Sequence, residues 1–472
     1  MADSVDSTRC STPVSAGSAD HSSEDTVLLP RLHKPTDVTS PNNASDDEVG
    51  KHQQLVLRSR NDSVRHERVT IYVWFITSMI SISGLLFGLD TGIISGILVS
   101  IGSDLGGSPL SDGNKELITS ITTGGALIGG IAAGIVSDSI GRKWMLSLAD
   151  VAFIVGAVVQ ATAHNIGAMT AGRAILGLGV GMASCVCPLL ISELAPTHLR
   201  GRLVTVNVVA ITGGQVIAYA LGAAFENMHG GWRWMSGLCA VPAGVQIAAL
   251  FFLPDSPRQL IVRNRIAAAK AAMRKVYPYE TLEQVDAKVE RLQEEARQQA
   301  LLLVEQPLKQ RVRDILYIGS NRRAPIVACG LQLLQQLSGA NTLLYFSATL
   351  FQSMGLNNPT AVGLIVSGTN FLGTLLALKY IDIIGRRRIA CFTVPGMVIG
   401  LALASIAFHF LTLGTGGRLD PTASYSGSWT GIVLFAMMFY ILSYATGIGN
   451  IPWQQGELFV ISYVCLLLCV RF

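Results

Sequence analysis

Two ionisable residues stand alone inside long apolar runs. Asp90 is the only acid in 71–100, and Arg173 is the only ionised residue in 166–192. A charge at the centre of a bilayer costs at least ~2.5–3.5 kcal/mol on insertion scales, so such residues face the protein interior and usually serve function. An acid whose protonation is governed by a movable Arg is a proton carrier. Ionised, it holds the Arg; protonated, it releases it, and the two states favour different conformations. The plainer alternative is a fixed structural ion pair. A second group of polar residues lies in 324–353: Gln335, Gln336, Asn341 and Tyr345. Asn341 and Tyr345 share a helix face at i,i+4. Neutral amides both donate and accept, which suits a polyhydroxylated ligand better than charges do. Here the plainer alternative is interhelical hydrogen bonding. No CxxC or HExxH pair suggests a metal site, no nucleophile–base constellation suggests an enzyme, and no cofactor is expected.

The elements that must position these residues follow from composition. Charged residues make up 14% of the 472, against ~25% in typical soluble domains, while apolar residues reach 50% and glycines number 48. Mean hydropathy is +0.45. These values point to a bilayer and exclude a soluble enzyme. The formal charge of +4 carries no nucleic-acid signature. Residues 1–68 are rich in Ser, Asp and Asn and read as a disordered tail. Beyond them, ten runs are long enough to cross ~30 Å of hydrocarbon as helices. They are 71–100, 117–137, 144–163, 166–192, 203–225, 234–253, 324–353, 360–381, 388–413 and 429–459. The expected organisation is an all-α integral membrane protein: a tail (1–68), a six-span half (69–253), a polar linker with surface helices (254–323), a four-span half (324–459) and an apolar tail (460–472). Within the linker, 280–304 reads as a charged surface helix.

Short loops between spans 2 and 3, 4 and 5, and 8 and 9 carry Arg142, Lys143, Arg200, Arg202, Arg386, Arg387 and Arg388. By the positive-inside rule these loops, the N-terminus and the linker are cytoplasmic. An internal repeat accompanies them. Asp138-Ser-Ile-Gly141-Arg142-Lys143 follows span 2, and Asp382-Ile-Ile-Gly385-Arg386-Arg387-Arg388 follows span 8. Two parallel halves around a midplane site are the layout of many secondary transporters.

The repeated DxxGR resembles the signature of the major facilitator superfamily, and further motifs resemble its sugar porter family. These are Gly88-Leu-Asp90-Thr-Gly, Gly172-Arg173 with Gly177, Gly179 and Gly181, and Glu193 ahead of Arg200-Gly201-Arg202. Pro254-Asp255-Ser256-Pro257-Arg258, Gln335-Gln336-Leu-Ser-Gly-Ala-Asn341, and Pro452-Trp453 with Glu457 complete the set. Ser100-Ile-Gly-Ser-Asp104-Leu and Lys115-Glu-Leu-Ile-Thr-Ser look most like fungal myo-inositol/proton symporters. The resemblance implies the major facilitator fold and transport of a polyol or sugar, myo-inositol first, with proton symport by alternating access. A hexose is the other substrate class, and a plasma-membrane monomer is expected.

The same resemblance implies that Asp90 and Arg173 couple the proton. It makes Gln335, Gln336, Asn341 and Tyr345 substrate contacts, joined by Gln215, Asn370 and Trp453. Many hexose porters have a substrate-binding Gln seven residues before Gln215, where this chain has Val208, which favours a different hydroxyl pattern. Asp138, Arg142, Glu193, Arg200, Arg202, Asp255 and Arg258 of the first half, with Asp382, Arg386, Arg387 and Glu457 of the second, are expected to form a cytoplasmic gate. The family pattern holds to Phe459 and breaks at Val460, and the family's spans 11 and 12 do not follow. Because every valine codon begins with GT, 460–472 reads as translated intron. A short isoform or non-transporting sensor is the alternative.

Overall fold

The computed structural model describes residues 70–453 except 108, 197–198, 306–318, 357, 418 and 420–424. The expectations for 1–68, Glu457 and 460–472 lie outside the described residues. Among those described, regular structure is helical.

The first half is built from α1 (Ile71–Ile80), α2 (Ile82–Ser100), α3 (Asp112–Ile140), α4 (Arg142–Ala161), α5 (Ile166–Leu194), α6 (Arg200–Phe225), α7 (Gly231–Leu238) and α8 (Ala240–Phe252). α1 and α2 run on as a single apolar span, as do α7 and α8. The sequence explains how closely these helices pack. α5 carries glycine on two faces. Gly177 and Gly181 meet the backbone of Thr122 and Ala126 on α3, while Gly172 and Gly179 meet Gln160 and Ala149 on α4. A methyl group at any of the four would run into its neighbour. Lipid gives helices no hydrophobic reason to associate, so close backbone contact between small residues supplies the attraction. The glycines of the Gly172-Arg173 motif therefore wedge α5 between α3 and α4, and Arg173 is carried into the interior with them.

The linker forms a small helical layer of α9 (Pro257–Val262), α10 (Ile266–Val276) and α11 (Leu282–Glu305). The charged surface helix expected over 280–304 is α11. The layer has its own core of Leu260, Ile261, Ala269, Ala272, Met273, Val285 and Val289. It docks on the Arg-rich end of the first half. Arg263 donates to the carbonyls of Ser139 and Ile140 at 2.7 and 2.8 Å, capping α3.

The second half comprises α12 (Gly319–Leu337), α13 (Ala340–Ser353), α14 (Pro359–Ile384), α15 (Arg386–Thr412) and α16 (Gly427–Thr446). Here the structure departs from expectation. The run 324–353 is two helices, broken at Ser338-Gly339, with Gly339 left-handed at φ 81°. Glycine takes that conformation without steric cost. The freed Ser338 carbonyl is recovered by the Tyr440 hydroxyl at 2.6 Å, so the break is satisfied inside the protein. Nine other segments among the described residues are long and apolar enough to span a bilayer, and they match the remaining nine expected runs.

The internal repeat is structural as well. Gly141 at φ 110° separates α3 from α4, and Gly385 at φ 88° separates α14 from α15. Each turn of the two DxxGR segments thus needs a residue without a Cβ. The halves meet where α6 packs on α14 and α2 on α13.

Candidate functional site

Asp90 sits midway along α2 and Arg173 near the start of α5, and their side chains form an ion pair. Asp90 is 4% and Arg173 1% exposed. Arg173 Nε also donates to the Ile118 carbonyl at 3.3 Å, tying the pair to α3. The two isolated charges of the sequence are therefore one unit. Their neighbour Thr91 reaches the cavity described next and also meets the Tyr345 hydroxyl of the second half.

Between the halves lies a cavity of about 680 Å³, counting its open mouth. First-half helices contribute Phe87, Thr91, Val208 and Gln215 to its wall. The second half contributes Gln335, Gln336, Asn341, Asn370, Asn450 and Trp453. Six of the seven residues expected to contact substrate are thus brought together. Tyr345 is the exception. It shares a face with Asn341, but it lies one turn further along and packs with Phe346 against the cluster around Ile94, Ile97 and Trp232.

The amides are ordered by mutual hydrogen bonds. Asn370 Nδ2 donates to Gln215 Oε1 at 2.8 Å, joining the halves across the cavity. Asn341 Nδ2 donates to Gln336 Oε1 at 3.0 Å, across the helix break. Gln335 Nε2 donates to the Gly449 carbonyl at 3.0 Å, joining broken span 7 to the unwound end of span 10. Trp453 faces Phe87 with ring centroids 6.4 Å apart. The wall is neutral, rich in groups that donate and accept, and flanked by two aromatic faces. Such a wall can bind hydroxyl groups and the C–H faces of a ring.

One end of the cavity is sealed. One turn beyond Thr91, Gln215 and Leu344, on the side away from the Arg-rich loops, Ser95, Tyr219 and Ser347 are fully buried. The Tyr219 hydroxyl bonds to the Leu344 carbonyl and shares a 2.7 Å hydrogen bond with Ser347 Oγ. The Ala348 N–H donates to Ser95 Oγ at 3.2 Å. This seal between α2, α6 and α13 escaped the sequence reading, because Ser and Tyr in an apolar helix carry no distinguishing spacing.

Of the seven expected first-half gate residues, four come together: Asp138, Arg142, Glu193 and Arg258. Arg142 pairs with Asp138 at 2.7 Å and with Glu193 at 3.2 Å. Burial pushes the Arg258 guanidinium below its usual range, opposed by the charges of Glu193 and Glu295. Arg200 and Arg202 begin α6, Asp255 precedes α9, Asp382 closes α14, and Arg386 and Arg387 open α15. The sequence reading also passed over Asp150, which is fully buried on α4 with neither carboxyl oxygen bonded and lies outside the cavity wall.

Two halves with a repeated helix–turn–helix, a polar cavity between them and a charge pair buried beside it define a membrane carrier of the major facilitator class. Comparison with known proteins is more specific. Residues 76–462 match the family described as Sugar (and other) transporter. Myo-inositol transporter 1 of Cryptococcus neoformans is 54% identical over 393 residues, covering 83% of this chain and 69% of its own. Myo-inositol transporter 2 of Schizosaccharomyces pombe is 41% identical over 444 residues, covering 93% and 76%. Among solved structures, the xylose transporter XylE from E. coli in a partially occluded inward-open conformation superposes with a TM-score of 0.69. It shares 24% identity and covers 85% of this chain and 89% of its own. The chain belongs to the sugar transporter family, and it is a membrane transporter for a sugar or polyol.

Proposed function

We propose that the chain carries myo-inositol together with protons by alternating access, with its Arg-rich loops and N-terminus in the cytoplasm and the plasma membrane as its site. The observation that carries this reading is the neutral amide wall facing a cavity beside the Asp90–Arg173 pair. Neutral donors and acceptors bind a polyol without selecting a charge. The relatives named as myo-inositol transporters support the substrate class, and Val208 in the cavity wall supports a polyol over a hexose.

Coupling follows from connectivity. Asp90 adjoins Thr91, which touches both the cavity and Tyr345 on the opposite half. Proton arrival at Asp90 loosens Arg173, and the change reaches α13, whose Leu344 and Ser347 belong to the seal. Substrate and proton then bias the same rearrangement, which is what symport requires. Asp138, Arg142, Glu193, Arg200, Arg202, Asp255 and Arg258 of the first half, with Asp382, Arg386, Arg387 and Glu457 of the second, act as the cytoplasmic gate, a reading supported by the pairing of Arg142 with Asp138 and Glu193.

Asn341→Ala and Gln336→Ala test the cavity assignment. Each removes a hydrogen-bonding partner worth ~0.5–1.5 kcal/mol, so myo-inositol affinity should fall about two- to twelvefold with protein yield preserved. Binding by purified protein at parental affinity, with yield alone reduced, means these amides only join helices.

A further inference from the structure

The seal at the end of the cavity away from the Arg-rich loops runs through one turn of α13. Leu344 and Ala348 are four residues apart, the spacing at which an α-helix joins a carbonyl to an N–H directly. Both groups are engaged by side chains of the first half. The Leu344 carbonyl accepts from the Tyr219 hydroxyl on α6, and the Ala348 N–H donates to Ser95 Oγ on α2. Ser347 Oγ lies between them, 2.7 Å from the Tyr219 hydroxyl and 3.5 Å from Ser95 Oγ. All five residues are buried.

Counting protons gives the chain a direction. A carbonyl only accepts and a hydroxyl has one proton, so Tyr219 spends its proton on Leu344. Ser347 stands further from that carbonyl, at 3.4 Å, and donates to Tyr219 instead. Ser95 is left to donate to Ser347. The chain therefore runs from the Ala348 N–H through Ser95, Ser347 and Tyr219 to the Leu344 carbonyl, and links in such a chain polarise and strengthen one another. Its two ends are the groups that one helical hydrogen bond of α13 would join. The packing holds it in place: the Tyr219 ring lies where a Cβ on Gly363 of α14 would come within 2.6 Å of it.

We propose that Ser95 and Tyr219 are positioning residues that set the balance between the two end states of the transport cycle, by lending α13 a chain of hydroxyls that stands in for one of its own hydrogen bonds when this side closes. A buried polar group left without a partner costs free energy. When the side opens, the Ala348 N–H and the Leu344 carbonyl pair with each other, and the three hydroxyls meet the water of the opened cleft. No backbone group is stranded in either state, so the seal makes and breaks at low cost. This rests on the alternating-access reading, and it goes further by naming the hydroxyls that set its equilibrium.

The test is amide hydrogen exchange, read by mass spectrometry, on the purified full-length chain in lipid nanodiscs with and without saturating myo-inositol. Ser95→Ala and Tyr219→Phe each remove one link, and each should shift the population about two- to twelvefold toward the state open at the seal. Exchange should then rise in 94–100 and 347–353 and fall in 138–143 and 382–388 at the Arg-rich end. The double variant should shift the population by less than the product of the single shifts, because the links belong to one chain. Exchange that rises at both ends together means lost packing, and single shifts that simply multiply mean independent contacts; either result overturns the proposal. Tyr219→Phe keeps its ring against Gly363 and supplies the comparison if Ser95→Ala does not fold. In the parent, myo-inositol should move the two ends in opposite directions. If it does so while both variants match the parent, only this assignment fails; if it does not, the alternating-access reading fails and takes the assignment with it.

Discussion

Asp90→Asn is expected to abolish accumulation of substrate against its gradient while leaving binding and exchange across the membrane in place. Asn has the shape and hydrogen-bonding reach of the protonated acid and cannot lose a proton, so the carrier is fixed in the proton-loaded condition. For each proton carried, one pH unit is worth about 1.4 kcal/mol, or about tenfold in accumulation. The variant's accumulation ratio should fall to about one at any imposed pH difference. Counterflow of labelled substrate, which needs no proton, separates loss of coupling from loss of protein. pH-driven accumulation by Asp90→Asn at the parental level means that another group carries the proton.

Arg173→Leu should be more damaging, because it strands a charge. Asp90 and Arg173 are buried against each other. Removing one member of such a pair costs ~3–5 kcal/mol, a large part of the ~5–15 kcal/mol that holds a typical domain folded. The yield of monodisperse protein after detergent extraction should collapse. Adding Asp90→Asn removes the stranded charge and should restore most of that yield, though not coupled transport. A single variant as stable as the parent would show that the pair contributes little to the fold. A double variant no better than the single would point to lost packing around Arg173.

The spans were legible because hydropathy alone determines them. The glycines of α5 were legible as a pattern, but their partners were not, since Thr122 and Ala126 belong to another helix 50 or so residues away and carry no signal of their own. The broken span shows where the reading fails. Residues 324–353 are apolar enough to pass for one helix, yet Ser338-Gly339 ends it, because Tyr440, a hundred residues on, recovers the Ser338 carbonyl. Leu-Ser-Gly-Ala within a polar stretch was the available clue, since Gly is the usual residue just past a helix end. Tyr345 is a separate case: helical spacing puts it on the face of Asn341, but its side chain packs against the cluster around Ile94, Ile97 and Trp232 and not in the cavity wall.

Proton-coupled transport of myo-inositol is tested most directly by uptake of labelled myo-inositol into proteoliposomes containing the purified chain, with an inwardly directed proton gradient imposed. The expected result is accumulation above equilibrium that collapses on adding a protonophore and is competed by unlabelled myo-inositol more strongly than by hexoses. Uptake that only equilibrates, with or without the gradient, would contradict proton coupling, and accumulation competed best by a hexose would contradict the substrate.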